Sequence, residues 1–171
     1  NGKLLITGEY LVLEGALALA VPTVLGQVMI VNKLREHESS GIRGRLLKWR
    51  SYYQDECWFE GEFNIPGFDI LNTSNESKAS FITDLLAEAN QMNPHHLSGT
   101  DIFEIETHLD FDPGWGLGSS SSLTVLIAEW FSIDPWELFR KTQSGSGYDI
   151  TCARVMNPVW YRLANAVPIS Q

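Results

Sequence analysis

The residues 113–122, PGWGLGSSSS, set three alternating glycines, Gly114, Gly116 and Gly118, before four serines. An apolar run at helical spacing follows, with Leu123, Leu126, Ile127, Trp130 and Phe131 on one side. Glycines without side chains let the backbone turn tightly and come close to a ligand. The serines, Ser119 to Ser122, offer hydroxyl donors and N-cap candidates. A helix starting here would add free N–H groups and the positive end of its dipole. Together these make an anion site, for which phosphate is the common occupant. The loop is not a Walker A motif, because no Gly-Lys-Ser/Thr closes it. It is also a poor dinucleotide fingerprint. Alternatively, it is an ordinary glycine-rich turn from strand to helix.

Such a loop must be held by a strand before it and a helix after it. DIFEIETHLDF (101–111) alternates as a strand, and residues 119–131 supply the helix. Upstream, KLLITGEYLVLEGALALAVPT reads as short buried strands joined at Gly8 and Gly15, and Gly26 to Leu34 as a further strand. RLLKWRSYY and CWFEGEF read as a hairpin linked by QDE, and IPGFDILNTSNES as a turn-rich connection. Phe81, Ile82, Leu85, Leu86 and Ala89 predict an amphipathic helix over 78–92. Asp134, Pro135 and Glu137 form a helix start with a capping box. GSGYDITCARVMN predicts a glycine turn into another helix, and PVWYRL a last strand. Strands gathered early and helices late point to an α+β fold.

The 171 residues carry a net charge of −9, from 12 basic and 21 acidic side chains. That balance argues against nucleic acid or an anionic membrane as the main partner. It leaves phosphate ligands open, since backbone N–H groups hold phosphate without charged side chains. Cys57 and Cys152 have no metal-like spacing, so a reduced, cytoplasmic protein is expected. No apolar run is long enough to span a bilayer. The chain opens NGKLL and ends NAVPISQ, and is read as a fragment. His37, His95, His96 and His108 fall outside every motif and are given no role.

Three segments resemble the GHMP kinase superfamily, in the superfamily's order. GKLLITGEYLVLEGALALAVP (2–22) resembles its first motif, PGWGLGSSSS its phosphate loop, and SGSGYDITCA (144–153) the segment with its catalytic aspartate. The last is closest to a bacterial branch with a Gly-Tyr-Asp-Ile-Ala signature, with Thr151 here in place of the Ala. The resemblance implies ATP-dependent phosphoryl transfer, with Mg²⁺, to a hydroxyl or phosphate of a small molecule, mevalonate or phosphomevalonate above all. It implies a ribosomal-protein-S5-domain-2-like N-terminal lobe with a left-handed β-α-β unit over 1–156, and the start of a ferredoxin-like C-terminal lobe over 157–171. The superfamily's third, glycine-rich motif is missing, since Gly147 is the last glycine, so most of that second lobe is expected to be absent. Dimerisation is one way to cover the apolar surface this would leave.

By the same resemblance, Asp149 takes or orients the acceptor proton and Lys3 supports it with a positive charge. Pro113, Gly114, Trp115, Gly116, Leu117, Gly118, Ser119, Ser120 and Ser121 hold the nucleotide. Ser120 and Glu137 bind Mg²⁺, and Glu9 and Tyr10 meet the acceptor. Glu137 is equally well explained by the capping box. Two rival functions share these parts: a diphosphomevalonate decarboxylase-like enzyme, and a catalytically inactive GHMP-fold binding module.

Overall fold

The computed structural model describes residues 1–9, 11–34, 45–97 and 102–163. Among the described residues, eight strands and four helices follow one another as β1 (Lys3–Thr7), β2 (Ala18–Pro22), β3 (Gln27–Leu34), β4 (Leu46–Tyr53), β5 (Glu56–Asn64), β6 (Ile70–Thr73), α1 (Glu76–Met92), β7 (Ile102–Leu109), α2 (Ser119–Phe131), α3 (Pro135–Thr142), α4 (Tyr148–Arg154) and β8 (Val159–Tyr161). Short 3-10 turns occupy Leu11–Glu14 and Pro113–Trp115.

The larger sheet has five strands in the order β3-β7-β4-β5-β6. Alternation in β4, β5 and β7 turns Leu47, Trp49, Phe59, Phe63, Phe103 and Ile105 toward one face. Helices α1 and α2 cover that face with Ile82, Leu85, Leu86, Leu123, Ile127 and Phe131, closing the main core. Each such side chain contributes roughly 1.5–3 kcal/mol on burial, enough to fix both helices on the sheet. β4 and β7 are parallel neighbours, joined through β5, β6 and α1. α1 starts two residues earlier than the expected position 78, because Asn75 caps it by accepting from the Lys78 N–H.

The smaller sheet runs β1-β2-β8, antiparallel throughout. α4 packs against all three of its strands and against α2, which ties the two sheets together. β8 pairs directly with β2, so this pairing crosses the boundary expected at 156/157. Most of the terminal segment, residues 164–171, lies outside the described residues.

Two local expectations are corrected. Leu11–Glu14 is a 3-10 turn and not part of a strand. There the Val12 N–H donates to the Gly8 carbonyl and the Ala16 N–H to the Leu11 carbonyl, which curls the chain while Val12 is buried. Ile70–Thr73 is a strand within the segment read as pure connection, because it completes the β5 edge. Cys57 is exposed and Cys152 buried, both as free thiols. No helix among the described residues is long and apolar enough to cross a membrane.

Candidate active site

Asp112 starts the loop by accepting from the Gly114 N–H at 2.7 Å. The 3-10 turn follows, and Gly116 and Gly118 then take left-handed backbone at φ 70° and 87°. Gly118 is the residue at the cap position of α2, and no side chain caps this end. The expected serine cap is therefore corrected: Ser119 is already the first helical residue, and the first-turn N–H groups of α2 are left for a ligand. The Ser122 hydroxyl turns inward, 2.8 Å from Gln27 Oε1 and 3.0 Å from the Ser119 carbonyl. Thr124 Oγ1 donates to the Ser120 carbonyl at 2.9 Å and accepts from Gln143 Nε2 at 2.7 Å. These bonds brace the first turn and leave the Ser120 side chain exposed.

Lys3 reaches the same place from the other end of the chain. Its N–H donates to the Leu117 carbonyl at 2.8 Å, which lays the start of β1 along the loop. The aliphatic stem of Lys3 crosses Gly118, where a Cβ would stand 3.1 Å from both Cγ and Cε. Its ammonium lies 2.8 Å from the Tyr148 hydroxyl and 3.5 Å from Asp149 Oδ2. Burial alone would lower the Lys3 pKa, but the hydrogen bond to Tyr148 and the charge of Asp149 outweigh it and hold Lys3 above its usual 10.5. Tyr148 is pushed up mainly by burial, so its phenol stays protonated at neutral pH. Cys152 is pushed up to about 11, by burial first and by Asp149 second, which keeps it an unreactive thiol.

Asp149 stands in the first turn of α4, behind Gly147. Gly147 is left-handed at φ 73°, and a Cβ there would meet the Trp136 ring at 2.4 Å, so only glycine fits. Trp136 lies parallel to Tyr161, with ring centroids 6.4 Å apart, and the Tyr161 hydroxyl donates to the Ser146 carbonyl. α3 and β8 thus clamp the loop that presents Asp149.

Two cavities meet at Ser120. The smaller, about 310 Å³, is bounded by Glu9, Leu13, Ser120, Gln143, Tyr148 and Asp149 among others. The larger, about 400 Å³, is mostly apolar, with Trp58, Phe59, Phe81, Lys78, Pro113 and Ser120 in its wall. There the Lys78 ammonium sits 4.2 Å over the Trp58 ring. A flat apolar group linked to an anion would fit across the two, with the anion at the α2 N-terminus between them.

The fold is similar to those of several solved structures. A D-glycero-D-manno-heptose 1-phosphate kinase from Bacteriodes thetaiotaomicron superposes at a TM-score of 0.65 and 20% identity, over 99% of this chain and 57% of its own. A galactokinase from Lactococcus lactis, complexed with galactose, gives 0.59 and 14%, over 99% and 46%. A mevalonate kinase from L. major, in complex with R-mevalonate, gives 0.53 and 19%, over 98% and 49%. The chain has the GHMP kinase fold. It spans about half the length of each of these GHMP structures. No protein-family model and no curated protein matches it by sequence.

Within this GHMP fold, Ser120 stands in the wall of both cavities, and Lys3 pairs with Asp149, which lines the smaller one. Pro113 and Ser119 line the larger cavity, and Ser121 is buried against the smaller one. Trp115 is 61% exposed and is a wall residue of neither. Glu9 lines the smaller cavity, while Tyr10 lies outside the described residues. Glu137 sits exposed on the first turn of α3 and lines neither cavity, while Asp134 caps that helix by accepting from the Trp136 N–H. Among the described residues no three His, Cys, Asp or Glu side chains gather as a metal site. Sequence reasoning missed Tyr148, Gln143 and Trp58. Tyr148 had a signal, its place beside Asp149 in the GYDI segment, whereas Trp58 had none beyond the alternation of its strand.

Proposed function

We propose that the chain is the nucleotide-holding part of an ATP-dependent phosphotransferase that acts on a hydroxyl or phosphate of a small molecule. The observation that carries this reading is the position of Ser120, in the wall of both cavities, between an uncapped helix start and the Lys3–Asp149 pair. Bound Mg·ATP would supply the phosphoryl group, with the metal drawing off phosphate charge. Trp58, Phe59 and Phe81 offer an apolar seat for its base, and the first-turn N–H groups of α2 its phosphate cradle. Ser120 is the hydroxyl offered to Mg²⁺, a hard oxygen ligand of the kind that ion prefers.

Asp149 then accepts the proton of the acceptor hydroxyl as the new P–O bond forms and the bond to the ADP oxygen breaks. Lys3 holds a positive charge beside that carboxylate and beside the transferring group. The resemblance of the first motif favours mevalonate or phosphomevalonate as acceptor. The solved neighbours also include kinases of heptose 1-phosphate and galactose, so sugars belong in the same panel. A cytoplasmic location is part of this reading, supported by the two free thiols. The test is ADP release in the presence of Mg·ATP with mevalonate, phosphomevalonate, galactose and heptose 1-phosphate in turn. Release that depends on one acceptor and on Asp149 supports the reading. Nucleotide binding without release for any acceptor would leave the binding module in its place.

A further inference from the structure

Lysine at the start of a strand has a long, mobile side chain, and something must decide where its charge stops. Asp149 alone does not. Its oxygen lies 3.5 Å from the Lys3 nitrogen, longer than the roughly 2.7–2.9 Å of a well-formed charge-assisted hydrogen bond. The short contact of this ammonium is to Tyr148, at 2.8 Å. We propose that Tyr148 is a positioning residue, whose hydroxyl fixes the Lys3 ammonium beside Asp149 without letting it close onto the carboxylate.

Three features support this. The phenol oxygen accepts from the ammonium at 2.8 Å. The ring is itself held, edge-on to Tyr161 at 6.4 Å, and Tyr161 is anchored through its hydroxyl to the Ser146 carbonyl. Gly118 closes the other side of the Lys3 stem. Lys3 therefore keeps one N–H for Tyr148 and one directed at Asp149, with a third left for a phosphate or acceptor oxygen. Asp149 keeps lone pairs for an incoming proton, which a tight ion pair would occupy. The titratable groups that act on this ammonium are Asp149, Tyr148 and Cys152, all from α4, and Tyr161 of β8 feels the charge of Asp149. The phosphate loop faces the Lys3 stem with a backbone carbonyl and a glycine, neither of which titrates.

The proposal rests on the phosphotransferase reading, and its test separates the two. Tyr148→Phe keeps the ring and its contact with Tyr161 while removing the hydroxyl. In the whole chain, the Lys3 ammonium is followed by nitrogen NMR, alongside thermal stability, Mg·ATP affinity and ADP release. Expected are faster exchange of the Lys3 ammonium protons with water and a titration moved to lower pH. Turnover is expected to fall roughly tenfold or more, with Mg·ATP affinity held within about twofold. An unchanged Lys3 signal, or unchanged turnover, would overturn the proposal. So would a parallel loss of thermal stability and nucleotide affinity, because that marks a structural role. If the unsubstituted chain releases no ADP with any acceptor, the phosphotransferase reading fails, and the Lys3 signal alone decides whether Tyr148 holds the ammonium.

Discussion

The ammonium of Lys3 and the carboxylate of Asp149 stand 3.5 Å apart, with side chains only 17% and 26% exposed. The first belongs to the opening strand of the small sheet and the second to the first turn of the helix that packs on it. Removing the carboxylate while keeping its shape isolates the chemistry. Asp149→Asn is expected to lower turnover by about 10²–10⁴-fold, the range of a lost general base. Mg·ATP affinity, measured by calorimetry, should stay close to that of the parent chain.

Lys3 gives a stability prediction with a defined sign. Its folded pKa lies above the usual 10.5, so its favourable contribution is complete below that value and is lost as pH rises through the higher folded value. Lys3→Met should therefore lower the melting temperature at neutral pH. The gap between the two proteins should close only in strongly alkaline solution. A gap that closes between pH 7 and pH 9 would contradict the raised value.

The two left-handed glycines of the loop should separate. At Gly118 a Cβ would press on the Lys3 stem, whereas at Gly116 nothing lies within 4 Å. Both substitutions to alanine carry a backbone cost of roughly 1–2 kcal/mol. Gly118→Ala should in addition displace Lys3 and depress turnover more than nucleotide affinity. Gly116→Ala puts its methyl group into the open side of the loop and should act on affinity first. Calorimetry and ADP release on the pair test the contrast.

Trp58 lines the larger cavity beneath the Lys78 ammonium. If the nucleotide base lies there, Trp58→Phe should remove most of the fluorescence change on adding Mg·ATP. Trp58→Ala should also weaken binding, by roughly 1–3 kcal/mol for a lost stacking partner. An undiminished signal in the phenylalanine variant would move the base elsewhere.

Among the described residues, the outer face of the small sheet is apolar and exposed. Leu4, Ile6 and Trp160 are exposed there, with Leu4 opposite Val21 and Leu19 opposite Trp160 in the register. The isolated chain is expected to self-associate through this face. Ile6→Lys, which places a charge on an exposed strand position, should shift light-scattering mass toward the monomer without lowering the melting temperature.

The parts of the fold written in local chemistry were legible from the sequence. The periods of α1 and β7, the Asp-Pro start of α3 and the glycines of residues 113–118 depend only on near neighbours. The motif order also suggested which distant residues share a site. What it did not contain was how they meet. The Leu11–Glu14 turn, and β6 as an added edge, follow from where the chain finds hydrogen-bond partners after the sheets form. Tyr148 became a partner of Lys3 only because α4 lies across β1, which brings together residues 145 positions apart. Glu137 lies on the exposed side of α3, whose rotation is fixed by the burial of Leu138 and Phe139. Local patterns set which backbone shapes are cheap, while the burial of side chains from distant segments decides which faces meet.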